Sequence, residues 1–154
     1  MTNTFAVKCE YIDADHPLDV YVRGYLAKRR DDSEGVTRDS DGSVTYTLGV
    51  AFPAWLRRIV TVPRFAFTET VRYNKGDAMC AVRAVCVEAE ATITKRMEGH
   101  AGGTRVHCTV EVVPEFRGVP VPRFAIKTFI QNRFRQERAR DTTYARIVQA
   151  KRRA

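Results

Sequence analysis

The sequence predicts an α+β fold in which a curved antiparallel sheet wraps around one long C-terminal helix. Three observations predict it. Apolar residues alternate with polar ones in several separate runs, joined by short turn signals. Two other segments, one early and one at the C-terminus, carry apolar residues at helical spacing. A sheet face and a helix stripe each need an apolar partner, and packing one on the other buries both. With 154 residues, 44% of them hydrophobic, the chain has enough material for one core and reads as a single domain over 1–154.

The elements follow in order. Phe5, Val7, Cys9 and Tyr11 alternate with Lys8 and Glu10, the pattern of a half-buried strand. Asp15-His16-Pro17 supplies an acidic cap and an early helix proline. Leu18, Tyr21, Val22, Tyr25 and Leu26 then recur at helical spacing. Asp39-Ser40-Asp41-Gly42 is a turn, and Val44, Tyr46, Leu48 and Val50 form the next alternating strand. Strands resume over 65–73, turn at Asn74-Lys75-Gly76-Asp77 and run on over 78–96. A turn at 99–103 leads to Val106, Cys108, Val110 and Val112, again alternating. A proline-bracketed loop over 114–122 precedes a long helix over 123–149.

The net charge of +8 suggests an acidic partner: nucleic acid, an anionic membrane surface or an anionic ligand. All of that surplus lies in residues 123–154, with ten Lys/Arg against two acids, while the first 122 residues balance. No apolar run approaches the length of a membrane span. The N-terminus has neither an apolar signal core nor an Arg-rich presequence. Cys9, Cys80, Cys86 and Cys108 form no CxxC pair, and His16, His100 and His107 are scattered, so no metal site is expected. Phosphate-loop and nucleophile-elbow motifs are absent. Glu88 and Glu90 read as a same-face pair on a strand, either a carboxylate dyad or, the favoured reading, a solvated strand face. No catalytic residue or enzymatic activity is expected.

The final helix is anomalous. On a helical wheel Ile126, Phe129, Ile130, Phe134, Tyr144, Ile147 and Val148 fall within about 80° of one direction. Arg133, Glu137, Arg140 and Asp141 fall inside that same sector, whereas Arg135, Arg138 and Arg146 occupy the solvated side. An ionised side chain facing a sheet is costly unless paired, or unless it faces water or a ligand. Either these residues form an internal ion-pair ladder, or the helix lines a cavity with a polar, net basic wall. The cavity is the favoured reading. A second anomaly is the apolar segment over 52–60, with Phe52, Pro53, the only tryptophan Trp55, Leu56 and the paired Arg57 and Arg58. Between strands a loop is normally polar. This one suits a membrane–water interface, with the indole at headgroup level and the arginines on anionic phosphates.

The opening strand and His16-Pro17 helix, the Asp41-Gly42 hairpin, Phe52-Pro53-Ala54-Trp55-Leu56, Glu69 and the basic last helix together resemble the PRELI-like family. That family is a branch of the START-like helix-grip lipid-binding folds. The resemblance implies a carrier of an anionic phospholipid, of the phosphatidic acid or phosphatidylserine class. It would work in the mitochondrial intermembrane space, with bound phospholipid, no cofactor and a small twin-CX9C partner protein. It implies that Lys28, Arg133 and Arg140, with the acid Glu137 beside them, meet the lipid phosphate. It also implies that the 52–56 segment is a lid touching membrane. The alternative is an accessory or structural subunit of a mitochondrial membrane complex, with its pocket lipid-filled or closed. Nucleic-acid binding is not expected, because some arginines face inward and no aromatic-interleaved strand motif occurs.

Overall fold

Alternation along the chain resolves into a meander of strands. The computed structural model describes residues 4–51, 54–58, 64–116 and 118–153. In chain order the elements are β1 (Phe5–Asp13), α1 (Leu18–Asp32), β2 (Gly35–Arg38), β3 (Val44–Ala51) and α2 (Ala54–Arg57). They continue with β4 (Arg64–Asn74), β5 (Met79–Cys86), β6 (Ala91–His100), β7 (Gly103–Val112), β8 (Glu115–Phe116), β9 (Val119–Pro120) and α3 (Arg123–Arg153). Seven strands form one antiparallel sheet in the order β1-β7-β6-β5-β4-β3-β2, and β8 and β9 make a separate small hairpin. Sequential antiparallel strands need only short turns, which is why the meander follows chain order from β2 to β7. β1 closes the far edge by pairing Cys9 with Cys108 and Tyr11 with Val106.

Two details differ from the sequence reading. The run over 78–96 is a hairpin: β5 and β6 are separated by a turn in which the Glu90 N–H donates to the Val87 carbonyl at 3.2 Å. Glu88 and Glu90 therefore lie in a turn and not on one face of a strand. Neither glycine nor proline marks that turn; Glu90 itself takes the left-handed conformation, at φ 47°. At the start of α1 the N-cap is Pro17, without a side-chain cap. Asp15 does not cap the helix; its N–H is instead held by the Asp13 carboxylate at 3.0 Å.

The core has two parts. Under α1, Tyr21, Val22 and Tyr25 pack on Tyr46, Val71, Val82, Met97 and Val106 of the sheet. Under the first turns of α3, Phe65, Cys86, Ala91, Val112, Phe116 and Val121 meet Ile126, Phe129 and Ile130. Helix α3 thus lies on the sheet in its first half and on α1 in its second. Gly24 permits the crossing, since a Cβ there would stand 2.7 Å from the Ala145 nitrogen. The buried face of α3 rotates along its length: Asp141 and Ala145 are buried, whereas Ile147, placed inside by the wheel, is 47% exposed. Arg138 is exposed, as the wheel places it, and its guanidinium also lies over the Tyr11 ring, 4.5 Å from the ring centroid. Among the described residues no helix is long and apolar enough to cross a membrane.

Candidate functional site

Between the sheet and the first half of α3 lies a cavity of about 440 Å³. One end is apolar, formed by Phe65, Ala91, Val112, Phe116, Val121 and Ile126. The other end is charged, formed by Arg29, Glu69, Lys95, Arg133, Glu137 and Arg140. Each strand contributes to this gradient through its period of two: inward residues at one end line the cavity, and those further along enter the solid core. On β4 the inward series is Phe65, Phe67, Glu69 and Val71; on β6 it is Ala91, Ile93, Lys95 and Met97.

The charged end is a network between α1, β4 and α3. Lys28 is fully buried and donates to Glu137 and Asp141. Arg29 forms a two-pronged pair with Glu69, at 2.5 Å from Nε and 3.3 Å from Nη2, and reaches Glu137 at 3.2 Å. The Tyr25 hydroxyl donates to Glu69 at 2.7 Å, and the Tyr21 hydroxyl to Asp141 at 3.0 Å. Burial alone would raise the Glu137 carboxyl, but Lys28, Arg29 and Lys95 outweigh it and hold the group well below the usual carboxylate range. Burial depresses Lys28 below the ordinary lysine value even with Asp141 beside it. Further out, Arg140 pairs with both oxygens of Asp32 at 2.5 and 2.8 Å. Arg133 pairs with Glu137 at 3.4 Å and Gln136 at 3.1 Å.

The expected phosphate-binding set of Lys28, Arg133, Arg140 and Glu137 is therefore not one cluster facing a ligand. Glu137, Arg133 and Arg140 line the cavity; Lys28 does not. Its ammonium is enclosed by two carboxylates because a buried cation at the α1–α3 crossing must be neutralised there. Both sequence readings of the helix hold in part: Glu137 and Asp141 belong to an ion-pair ladder, and the same helix lines a cavity. Lys95 and Arg29 are absent from the sequence-derived site, and Glu69 enters it only as part of the family resemblance, although the alternation of β4 and β6 marks Glu69 and Lys95 as inward charges.

Of the expected lid, Trp55 lies in α2, lines the cavity and is 38% exposed. Arg57 and Arg58 are exposed nearby in sequence. Phe52 and Pro53, the side chain of Leu56, and Ile59 and Val60 lie outside the described residues. Burial pushes the Cys80 thiol up to about 12 and Cys86 up to about 11, so neither is a ready thiolate nucleophile. Among the described residues no group of His, Cys, Asp and Glu is placed to hold a metal ion.

Several solved structures share the architecture. The Zhui aromatase/cyclase from Streptomyces sp. R1128 superposes with a TM-score of 0.56 at 13% identity, covering 93% of this chain and 92% of that one. A START superfamily protein from Mycobacterium smegmatis gives a TM-score of 0.56 at 11% identity, over 92% of this chain and 98% of that one. This is the helix-grip fold. Ara h 8.0201 shares it too, with a TM-score of 0.55 at 9% identity over 96% and 99% of the two chains. The sequence matches no family profile and no curated protein.

Proposed function

We propose that the protein binds and carries a hydrophobic ligand between its sheet and α3, without making or breaking bonds in it. The observation that carries this reading is the gradient of the cavity, apolar at Phe116, Val121 and Ile126 and cationic at Arg29, Lys95 and Arg133. An unfilled apolar volume in a folded core is costly, and proteins retain one where a ligand fills it. A volume of about 440 Å³ suits a ligand with one acyl chain or a compact ring system. The narrowest form of the reading, drawn from the PRELI resemblance, is phosphatidic acid or phosphatidylserine moved between mitochondrial membranes. A two-chain lipid of that class requires the cavity to widen past Trp55. In this form Arg133 is the better headgroup contact, since its pair with Glu137 is a single contact at 3.4 Å whereas Arg140 is held by both oxygens of Asp32.

The test is transfer of fluorescent phosphatidic acid between vesicles. Arg133→Glu is expected to slow it more than Arg140→Glu, and transfer no faster than without protein removes the phosphatidic acid form of the reading. The saturated network between α1 and α3 favours a second reading, in which the fold serves as a fixed subunit of a larger membrane complex. That reading expects the native protein to elute in a large assembly on size exclusion, and the carrier reading expects a small species.

A further inference from the structure

We infer that the ligand is a single-chain or ring-based acid, bound with its anionic group inward against the Lys95 ammonium; this deepens the carrier reading and rests on it. Along β6, Ala91 and Ile93 line the cavity and Met97 is fully buried in the core under α1. Lys95 stands between them, at the junction of cavity and solid core. It is only 6% exposed, and it lines the cavity.

The acids around it are already engaged. On Glu69, Oε1 accepts from Tyr25 and Oε2 from the Arg29 Nε. On Glu137, Oε2 faces Lys28 and Arg29, and Oε1 faces Arg133. On Asp141, Oδ1 accepts from Lys28 and Oδ2 from Tyr21. All six carboxylate oxygens have donors, and none of those donors is Lys95. Among the described residues the Lys95 ammonium has no hydrogen bond and no ion pair; its contact is the Tyr25 ring, with Nζ 5.0 Å from the centroid. That ring already faces Lys28 at 4.6 Å and Arg29 at 4.9 Å.

An ammonium carries three donors and is strongly hydrated, and Lys95 presents it to the cavity, so a ligand that fills the cavity and displaces water must bring an acceptor to it. An anionic oxygen entering from the cavity supplies the missing acceptor, and the apolar remainder of the ligand then extends past Ile93 toward Phe116 and Val121. A carboxylate and a phosphate monoester share this chemistry. The cavity volume selects one chain for either.

The experiment is isothermal titration of the full chain with dodecanoate, dodecyl phosphate and dodecanol, each below its micelle concentration. Wild-type protein is expected to bind at least one acid about tenfold or more tighter than the alcohol. Whichever acid binds tighter identifies the headgroup chemistry. Lys95→Met is expected to erase that preference while leaving dodecanol affinity unchanged. Lys95→Gln, which keeps a donor without the charge, serves as the second variant and loses the preference as well. Both variants are expected to melt close to wild type, because the Lys95 ammonium is bonded to no carboxylate and acts on Glu137 only through space, while Lys28 and Arg29 stay in place. Equal affinity for acid and alcohol in the wild type, or an acid preference that survives both substitutions, overturns the inference and leaves the carrier reading standing. Binding of none of the three ligands removes the carrier reading and this inference together.

Discussion

Lys28 is a fully buried cation on which two carboxylates depend. Its two acid partners, Glu137 and Asp141, come from a helix more than a hundred residues away; Asp141 is buried and Glu137 partly so. Lys28→Met leaves two carboxylates without their principal cation, and the expected cost is about 3–5 kcal/mol in urea unfolding. Glu137 makes the same network sensitive to acid. Its folded carboxyl is held below its unfolded value, so its contribution is fully present above the usual carboxylate range. It is lost as the pH falls through and below that range. Melting temperature is accordingly expected to drop from pH 5 to pH 3, and Glu137→Gln is expected to drop less steeply while starting lower. The sequence wheel made Arg133, Glu137, Arg140 and Asp141 visible as charges in an apolar stripe. It did not show their partners, because those depend on where α1 crosses α3. Lys95 and Glu69 carried the same signal in strand form, each a lone charge among inward apolar residues.

At the scale of elements, α3 was legible as a long amphipathic helix because its period is regular over eight turns. Its change of neighbour was not. A single wheel assumes one direction of burial, but the first half of α3 faces the sheet and the second half faces α1, which turns the contact face toward Asp141 and Ala145. That is why Ile147 is half exposed and Arg138 meets Tyr11. The close α1–α3 approach depends on Gly24, where a Cβ would also stand 2.9 Å from the Tyr144 carbonyl carbon. Both neighbours are backbone atoms, so the helices must shift to accept a methyl group. Gly24→Ala is expected to destabilise by about 1–3 kcal/mol, whereas Ile147→Ser is expected to change stability by less than about 0.5 kcal/mol. Chemical denaturation of the two variants side by side checks this. The β5–β6 turn escaped notice for a different reason: its left-handed residue is a glutamate, which no turn signature marks.

Across the whole molecule, the positive charge of α3 divides between arginines paired within the fold and a solvated face. Arg133, Arg140 and Arg152 pair with Glu137, Asp32 and Asp19, and Arg138 lies on Tyr11. These contacts are themselves largely exposed, and Arg138, Arg135 and Arg146 belong to a solvated face. The curved sheet and terminal helix were readable from periodicity; the cavity between them was readable only as an inconsistency in one helix, and its size was not readable at all. Ligand that binds only the folded state stabilises it by mass action, so an acid at a hundred times its Kd is expected to add about 2.7 kcal/mol, seen as a rise in melting temperature.

The central claim is that an apolar ligand enters the cavity, and Trp55 reports on it directly. It is the only tryptophan in the chain, and it lines the cavity wall. Titration with a dibrominated fatty acid below its micelle concentration is expected to quench Trp55 fluorescence saturably, at one ligand per protein, and Ala91→Phe, which fills the apolar end, is expected to weaken that quenching. Quenching that rises linearly without saturation, or that is unchanged by Ala91→Phe, contradicts occupancy of the cavity.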